Sequence, residues 1–238
     1  MISPPQSEMV SGPVKDDRRG TTLEIRPTFE TGRTGRFPTQ AVVVTTAARR
    51  MIELSKAGQK LQSVTVRAGD DDPTLHPDFK EISENLRELT KKWFPRAQMV
   101  LEASPLYLQD AEVRHAISCY DRPVLRFASG TQKCFKAVTG AKPQALKEVV
   151  ENLSRLEHEH LVIEARFTRG DVDNSTDSEL KAWIGHLAKV KPSTIQIWTP
   201  AKATTDGGKK TRPVTKSRMK AIADQITDKT GIPVEILE

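Results

Sequence analysis

The chain has 238 residues, of which 37% are hydrophobic and 29% are charged. This balance is ordinary for a soluble protein, and the length is enough for one large domain with a substantial core. Thirty-seven basic and 31 acidic residues give a net charge of +6, which permits contact with nucleic acid but does not require it.

The sequence holds two cysteines, Cys119 and Cys134. Two thiols are too few for a disulfide framework, a structural zinc site or an iron–sulfur cluster held by this chain alone. No apolar run reaches the length of a bilayer span, and the N-terminus lacks the apolar core of a signal peptide. We therefore expect a cytoplasmic protein, with residues 1–10 as a disordered tail and residues 11–238 as a single domain.

Strand-like and helix-like patterns alternate from one end of the chain to the other. Short apolar or alternating runs predict strands at residues 21–26, 64–66, 97–102, 122–127, 161–167, 194–199 and 234–237. Apolar residues three and four apart predict helices at residues 45–57, 78–93, 110–118, 146–156, 177–190 and 219–226. Alternation of this kind calls for parallel strands joined by crossover helices. A doubly wound sheet and an open (β/α) barrel both fit, and periodicity alone does not choose between them.

The turn after the second predicted strand draws attention as a site. Gly69 ends the strand, and Asp70, Asp71 and Asp72 follow it directly, before Pro73. In α/β folds the residues that bind ligands lie at the carboxyl ends of the strands.

The residues that follow, Pro73 to Phe79, resemble the radical S-adenosylmethionine superfamily. More narrowly, they are similar to the iron–sulfur oxidoreductases grouped with wyosine-type tRNA-modification enzymes, in which a strand ends in Gly-Glu-Pro-Thr-Leu-His. Other segments resemble that group in the same order: residues 12–14 with 18–19, 31–34, 130–135, 169–170 with 173–174, and 195–200. The resemblance implies an open (β/α)6 partial barrel, a partial TIM barrel of the radical S-adenosylmethionine type with parallel strands inside and helices outside.

The sequence departs from that family where the family binds its cofactors. The family holds a [4Fe–4S] cluster with Cys-x-x-x-Cys-x-x-Cys, but here the corresponding interval is Pro27–Thr28–Phe29–Glu30, which is short and has no cysteine. Without thiolates there is no cluster to pass an electron to the cofactor. We therefore expect no cofactor, apart from weak residual binding of S-adenosylmethionine.

The resemblance leaves a remnant pocket at the ends of three strands, with no catalytic or metal-binding residue. Its expected members are Gly69, Asp70, Asp71, Asp72, Pro73, Glu102, Ser104 and Ser129. Asp71 stands where the family has a glycine, and the residues after the third and fourth predicted strands lose an amide and a carboxylate. The distribution favours a preserved scaffold with a dismantled active site.

Three clusters invite other interpretations. Asp70–Asp72 offers carboxylates to Mg²⁺ or Ca²⁺, but adjacent turn residues rarely converge, so a solvated turn is favoured. His158–Glu159–His160 favours a polar turn over a metal site. Six basic residues surround the sixth strand–helix loop and suit either RNA phosphates or a flexible basic loop: Lys209, Lys210, Arg212, Lys216, Arg218 and Lys220.

Three hypotheses follow for the function. The first is a pseudoenzyme that keeps the barrel and acts through binding, with an unknown protein partner or RNA and no membrane. The second is an enzyme of another class that uses Asp70–Asp72, His76 and Glu102. The third is an active iron–sulfur oxidoreductase whose cluster ligands come from a partner.

Overall fold

The computed structural model describes residues 8–16, 19–31, 35–142, 145–206 and 208–237. The strands are β1 (Val10–Asp16), β2 (Gly20–Ile25), β3 (Ser63–Val66), β4 (Gln98–Ala103), β5 (Arg122–Arg126), β6 (Val162–Arg166), β7 (Arg169–Gly170), β8 (Thr194–Trp198), β9 (Thr204–Asp206), β10 (Lys209–Arg212) and β11 (Val234–Ile236). The helices are α1 (Gln40–Lys56), α2 (Phe79–Trp93), α3 (Ala111–Ile117), α4 (Gln132–Thr139), α5 (Ala145–Ser154), α6 (Asp177–Val190) and α7 (Lys216–Thr230).

The fold is mixed α/β, with an open and largely parallel sheet of eight strands and helices on its outside. The strand order is β1-β2-β3-β4-β5-β6-β8-β11. The strands keep their chain order along the sheet, with the antiparallel β1 at one edge, as in a barrel that does not close. The predicted partial barrel is therefore confirmed, and the doubly wound alternative is wrong.

The chain divides into two compact units, residues 1–124 and 125–238. The expectation of a single domain over residues 11–238 stays a prediction. Of the expected tail, residues 1–7 lie outside the described residues and Val10 begins β1. Parts of the segments that carried the family resemblance, residues 18 and 32–34, are also outside them. Among the described residues, no helix combines the length and apolarity needed to cross a membrane.

The parallel strands of the first unit have one apolar and one polar face. Leu23 of β2 pairs with Val64 of β3, and Val64 pairs with Met99 of β4. These three side chains are fully buried, as are the core residues of α1 and α2: Val43, Ala47, Met51, Ile82 and Leu86. Helices therefore cover this face of the sheet.

The opposite face of the same strands is buried as well, although its residues are polar. Thr22 and Thr65 have no exposed surface, and their hydroxyls lie 3.1 Å apart in a hydrogen bond. Glu24 is buried on the same face, in register with Thr65. In a curved sheet this face points inward, so alternation along β2 separates two buried environments rather than core from solvent.

The sequence analysis missed β1, an antiparallel edge strand that pairs with β2. Its pairing shifts register between Ser11 and Val14, where Gly12 and Pro13 interrupt the apolar pattern. The strand is held from the side by Arg50 of α1, whose Nε and Nη2 donate to the Gly12 carbonyl at 3.0 and 2.6 Å.

The second unit repeats the arrangement with β6, β8 and β11. Ile163 pairs with Ile195 and Ala165 with Ile197, and all four are fully buried. Trp183 of α6 adds the largest buried side chain, and its indole N–H donates to the Phe127 carbonyl at 3.1 Å. Thr176 caps the start of α6, where its Oγ1 accepts from the Glu179 N–H at 3.4 Å.

A second, smaller sheet of three strands in the order β7-β10-β9 includes two strands, β9 and β10, within the loop that follows the sixth predicted strand. Thr204 and Thr211 face each other across β9 and β10, with their hydroxyls 2.9 Å apart. Thr211 is buried although its neighbours in sequence are charged. The basic composition hid a strand whose polar inner face is made of threonine, a residue that favours β structure.

Candidate functional site

The turn after β3 lies directly under the loop that follows β2. A Cβ atom added to Gly69 would come within 2.7 Å of the Thr28 carbonyl carbon and oxygen and of the Phe29 nitrogen. These are backbone atoms, which have no rotamer that moves them away. A glycine is therefore needed at position 69 because another backbone approaches it closely, rather than because the turn is tight.

Two buried threonines hold that loop on the acidic turn. Thr28 Oγ1 accepts from the Gly69 N–H at 3.0 Å and donates to the Asp71 carbonyl. Its own carbonyl accepts from the Asp70 N–H at 3.2 Å. Thr31 Oγ1 donates to the Asp71 carboxylate at 2.7 Å. Residues 27–31, the interval where the resembled family carries cysteines, thus form a closed, hydrogen-bonded cover.

Asp72 joins the turn after β3 to the turn after β4. One carboxylate oxygen accepts from the Thr74 N–H at 3.1 Å and from the Thr74 hydroxyl at 2.5 Å. The other accepts from the Ser104 N–H at 2.6 Å. Pro73, buried at the start of a single 3₁₀ turn, follows this cap. Asp72, Pro73 and Ser104 therefore lie close together, with the polar groups of Asp72 and Ser104 engaged within the protein. Their membership of a remnant pocket stays a prediction.

Tyr107 belongs to the same region, and the sequence analysis did not find it. Burial raises the pKa of its hydroxyl, and the negative charges of Asp72 and Asp71 raise the pKa further. Tyr107 therefore lies within the electrostatic influence of both carboxylates. A cationic group is favoured there.

A chain of ion pairs fills the inner face of the strands at the same end. The Glu102 carboxylate contacts the Arg19 guanidinium and lies 3.4 Å from Arg67 Nε. Arg67 Nη1 also lies 2.9 Å from Glu24, which in turn pairs with Arg26. All but Arg67 are largely buried, whereas 38% of the Arg67 side chain is exposed. Burying charges of this kind requires such pairing.

Glu102, expected in the remnant pocket, is thus one member of this ion-pair chain. The other members were missed because Glu24 and Arg26 alternate with apolar residues, a pattern typical of a strand with one solvated face. Sequence alone does not give the order of the strands in the sheet, and that order decides that the face of β2 with Glu24 is buried.

His76 is buried, with both ring nitrogens engaged. Nε2 lies 2.6 Å from the Pro38 carbonyl, and Nδ1 accepts from the Asp78 N–H at 3.0 Å. Because the carbonyl requires a donor and the amide an acceptor, the ring is a neutral imidazole protonated at Nε2. This arrangement leaves no ring nitrogen free for the catalytic role of the second hypothesis.

Ser129 lies in the second unit, directly after β5, and is almost fully buried. It hydrogen-bonds the thiol of Cys134 on α4. Burial, and next the negative charge of Glu179, raise the pKa of Cys134 to about 12, against a smaller opposite effect of the Ser129 hydrogen bond. Glu179 approaches because its carboxylate accepts from the Gly130 and Thr131 N–H groups at 3.1 and 3.0 Å.

Both cysteines are at least partly buried. Cys119 follows α3 in the first unit, and burial raises the pKa of its thiol. In the part of the chain that the structure describes, no three His, Cys, Asp or Glu side chains converge as a metal site would require. His158 and His160 form a turn, in which His158 Nδ1 accepts from the His160 N–H at 3.1 Å.

Comparisons with known proteins give structural relatives only. No family model matches the sequence, and no curated protein is similar to it at a significant level. A domain of the pyruvate-formate lyase-activating enzyme from Bacteroides vulgatus is similar in structure, with a TM-score of 0.56 and 14% identity over 74% of this chain and 99% of that one.

Two longer proteins match as well. Coproporphyrinogen III oxidase (HemN) from Escherichia coli, described as a radical SAM enzyme, has a TM-score of 0.53 and 9% identity over 79% of this chain and 45% of its own. The FeFe-hydrogenase maturase HydG from Carboxydothermus hydrogenoformans has a TM-score of 0.50 and 13% identity, over 84% and 46%. The chain thus spans less than half the length of these two relatives.

These structures correct one expectation and confirm another. The expectation that the protein uses no cofactor is wrong, because its structural neighbours are radical S-adenosylmethionine enzymes, whose fold points to cofactor binding. The resemblance seen in the sequence is confirmed at the level of the fold. This chain has the fold of the radical S-adenosylmethionine enzymes.

Proposed function

We propose that the protein binds an S-adenosylmethionine-type ligand at the carboxyl ends of β2, β3 and β4, and that it acts through this binding rather than through a radical made with its own cysteines. The observation that carries the proposal is the cover formed by residues 27–31. Thr28 and Thr31 hold it on Gly69 and Asp71, in the place where the resembled family carries its cluster loop.

The properties of the two thiols support the proposal that the protein makes no radical with its own cysteines. A cluster is ligated by thiolates, and burial raises the pKa of both Cys119 and Cys134. Each thiol is therefore held in its protonated form near neutral pH. Neither cysteine belongs to the interval after β2, so the chain itself does not supply a three-thiolate site.

Charge at the strand ends supports the proposal that an S-adenosylmethionine-type ligand binds there. S-Adenosylmethionine carries an ammonium, a sulfonium and a carboxylate. Exposed Asp70 and Asp71 provide the negative potential that suits its cationic groups, and the exposed part of Arg67 suits its carboxylate. The resembled family uses the same turn to hold the ammonium of the cofactor.

The test is thermal unfolding of the purified protein with S-adenosylmethionine, S-adenosylhomocysteine or adenosine. A ligand at about 100 times its dissociation constant adds about 2.7 kcal/mol to the free energy of unfolding. We expect stabilisation by the first two ligands and its reduction in the Asp70→Asn/Asp71→Asn double variant. Asp224→Asn/Asp228→Asn, which removes the same charge from exposed positions of α7, is the matched control. A protein that none of the ligands stabilises would contradict binding.

Anaerobic reconstitution with iron and sulfide tests separately whether the isolated chain can hold an iron–sulfur cluster. We expect no stable cluster in the isolated chain. Incorporation of about four irons per chain, with the visible absorption of a [4Fe–4S] cluster, would contradict this half of the proposal. A cluster that forms only when a second protein is added would favour the iron–sulfur oxidoreductase with ligands supplied by a partner.

A further inference from the structure

The small sheet formed by β7, β10 and β9 sorts its side chains onto two different faces. Thr204 pairs with Thr211 on one face, and Arg166 Nη2 donates to the Thr204 hydroxyl at 3.2 Å. Side chains alternate along a strand, so Lys210 and Arg212 lie on the other face of β10. Arg169 of β7 is directly opposite Arg212.

Arg169, Lys210 and Arg212 are all exposed; we call them the basic face. Two like charges directly opposite each other in an antiparallel pair destabilise it, yet Arg169 and Arg212 are paired in this way. Within the described residues, none of the three has an ion-pair partner at salt-bridge distance. The nearby acid Asp171 turns its carboxylate to the backbone, accepting from the Lys210 N–H at 2.8 Å.

Other basic residues of this region serve the fold. Lys209 Nζ donates to the Ala137 carbonyl at 2.6 Å. Arg218 donates twice to the Ser175 carbonyl, at 3.1 and 2.6 Å, and lies 2.7 Å from the Asp177 carboxylate. The cations of residues 201–220 are thus divided: some brace the second unit, and those of the basic face are left to solvent on a regular strand surface.

We propose that the basic face binds the phosphate backbone of a nucleic acid without sequence preference. A row of guanidinium and ammonium groups that form no ion pair within the described residues is the chemistry that neutralises phosphates. Base recognition is not expected, since Thr205, the remaining described side chain on this face of β9, offers no aromatic ring for stacking. The face also has no apolar group to enter a bilayer, which argues against a membrane surface.

Three neutralised phosphates determine the expected salt dependence. The logarithm of the affinity for a duplex falls with the logarithm of salt at a slope of about −2.7, so that raising salt from about 50 to about 200 mM weakens binding about 40-fold. Each cation removed lowers the slope by about 1.

The experiment is fluorescence anisotropy with labelled duplex DNA, duplex RNA and single-stranded RNA of two unrelated sequences. The test variant is Arg169→Gln/Lys210→Gln/Arg212→Gln. The matched control is Lys133→Gln/Lys181→Gln/Lys229→Gln, which removes the same charge from exposed helix positions of the same unit. We expect the wild type and the control to bind with similar slopes, and the test variant to lose most of its affinity and slope. The three probes identify which nucleic acid binds best.

Three outcomes would overturn the proposal. The first is a wild-type protein that binds none of the probes at about 50 mM salt. The second is a test variant that binds as well as the control. The third is binding to vesicles containing phosphatidylserine that depends on the three residues while the nucleic acids do not bind, since the partner would then be an anionic membrane. Circular dichroism of the test variant, unchanged from wild type, confirms that it is folded.

Discussion

The Thr31 hydroxyl donates a 2.7 Å hydrogen bond to the carboxylate of Asp71. Thr31 belongs to the loop after β2, and Asp71 to the turn after β3. With the Thr28 hydrogen bonds, this contact converts an interval that sequence shows only as short into a structured cover over the acidic turn.

Replacing Thr31 by valine keeps the shape of the side chain and removes the hydroxyl. The Asp71 carboxylate then loses a donor, and because Asp71 is exposed and water can replace that donor, the loss is that of an ordinary hydrogen bond, about 0.5–1.5 kcal/mol. We expect Thr31→Val to lower the free energy of unfolding by about that amount in urea titrations. Thr46→Val is the control, because the Thr46 hydroxyl is exposed and donates to the Val42 carbonyl of its own helix at 2.7 Å. Equal effects of the two changes would contradict the role given to the cover.

Gly69→Ala places a methyl group 2.7 Å from backbone atoms of Thr28 and Phe29. The backbone has to shift, and we expect a loss of about 1–3 kcal/mol, the usual range for overpacking. Gly185 offers a control of opposite sign, since it is exposed within α6 and no heavy atom lies within 4 Å of its added Cβ. Gly185→Ala should stabilise the protein by about 0.5–1 kcal/mol. A neutral Gly69→Ala in the same urea assay would show that the loop does not lie on the turn.

The fold was predictable because most of its strands and helices carry strong local patterns. Phe79, Ile82 and Leu86 of α2 lie three and four residues apart, and all are buried as that spacing predicts. The strand β1 was missed because Gly12 and Pro13 break its pattern, and pairing with β2 supplies what local preference lacks. The alternating residues of β2 predicted a strand but gave the wrong environment for Glu24, which is buried by the curvature of the sheet.

The candidate site was predictable in position but not in its contacts. Gly69 and the three aspartates that follow it were located correctly at a strand end, from sequence alone. That Asp72 accepts from Ser104, 32 residues later, depends on the neighbouring places of β3 and β4 in the sheet. The expectation of no cofactor was wrong because it rested on the missing cysteines alone, whereas the structural neighbours of this chain are radical S-adenosylmethionine enzymes, which use cofactors. The cytoplasmic location and the partner stay predictions.

Asp72→Asn tests the link between the two turns. An asparagine side chain has one oxygen and one NH₂ group, whereas the carboxylate of Asp72 accepts hydrogen bonds on both oxygens. In either orientation an amide donor faces another donor, so we expect a loss of about 1–3 kcal/mol of unfolding free energy. Asp224→Asn, on an exposed helix surface, should change it by less than about 0.5 kcal/mol. A tolerated Asp72→Asn would mean that Ser104 finds another acceptor, and the two turns would then move independently.

The buried thiol of Cys134 predicts a loss of stability at high pH. Burial raises its pKa to about 12 in the folded protein from an ordinary value of 9.0. Below pH 9 the thiol is protonated in both states and contributes no pH dependence. Between pH 9 and 12 the unfolded chain releases the proton while the folded chain keeps it, so unfolding is favoured as pH rises, by up to about 1.4 kcal/mol per pH unit.

Urea unfolding of the wild type and of Cys134→Ala from pH 8 to about 10.5 measures this loss. Tyr120, whose pKa burial also raises, is present in both proteins, so its effect cancels in the difference between them. We expect the wild type to lose about 2 kcal/mol more than the variant over this range. Parallel pH profiles would show that the Cys134 thiol ionises as readily when folded as when unfolded, and the argument that it is held protonated, unsuited to ligate iron, would then fail.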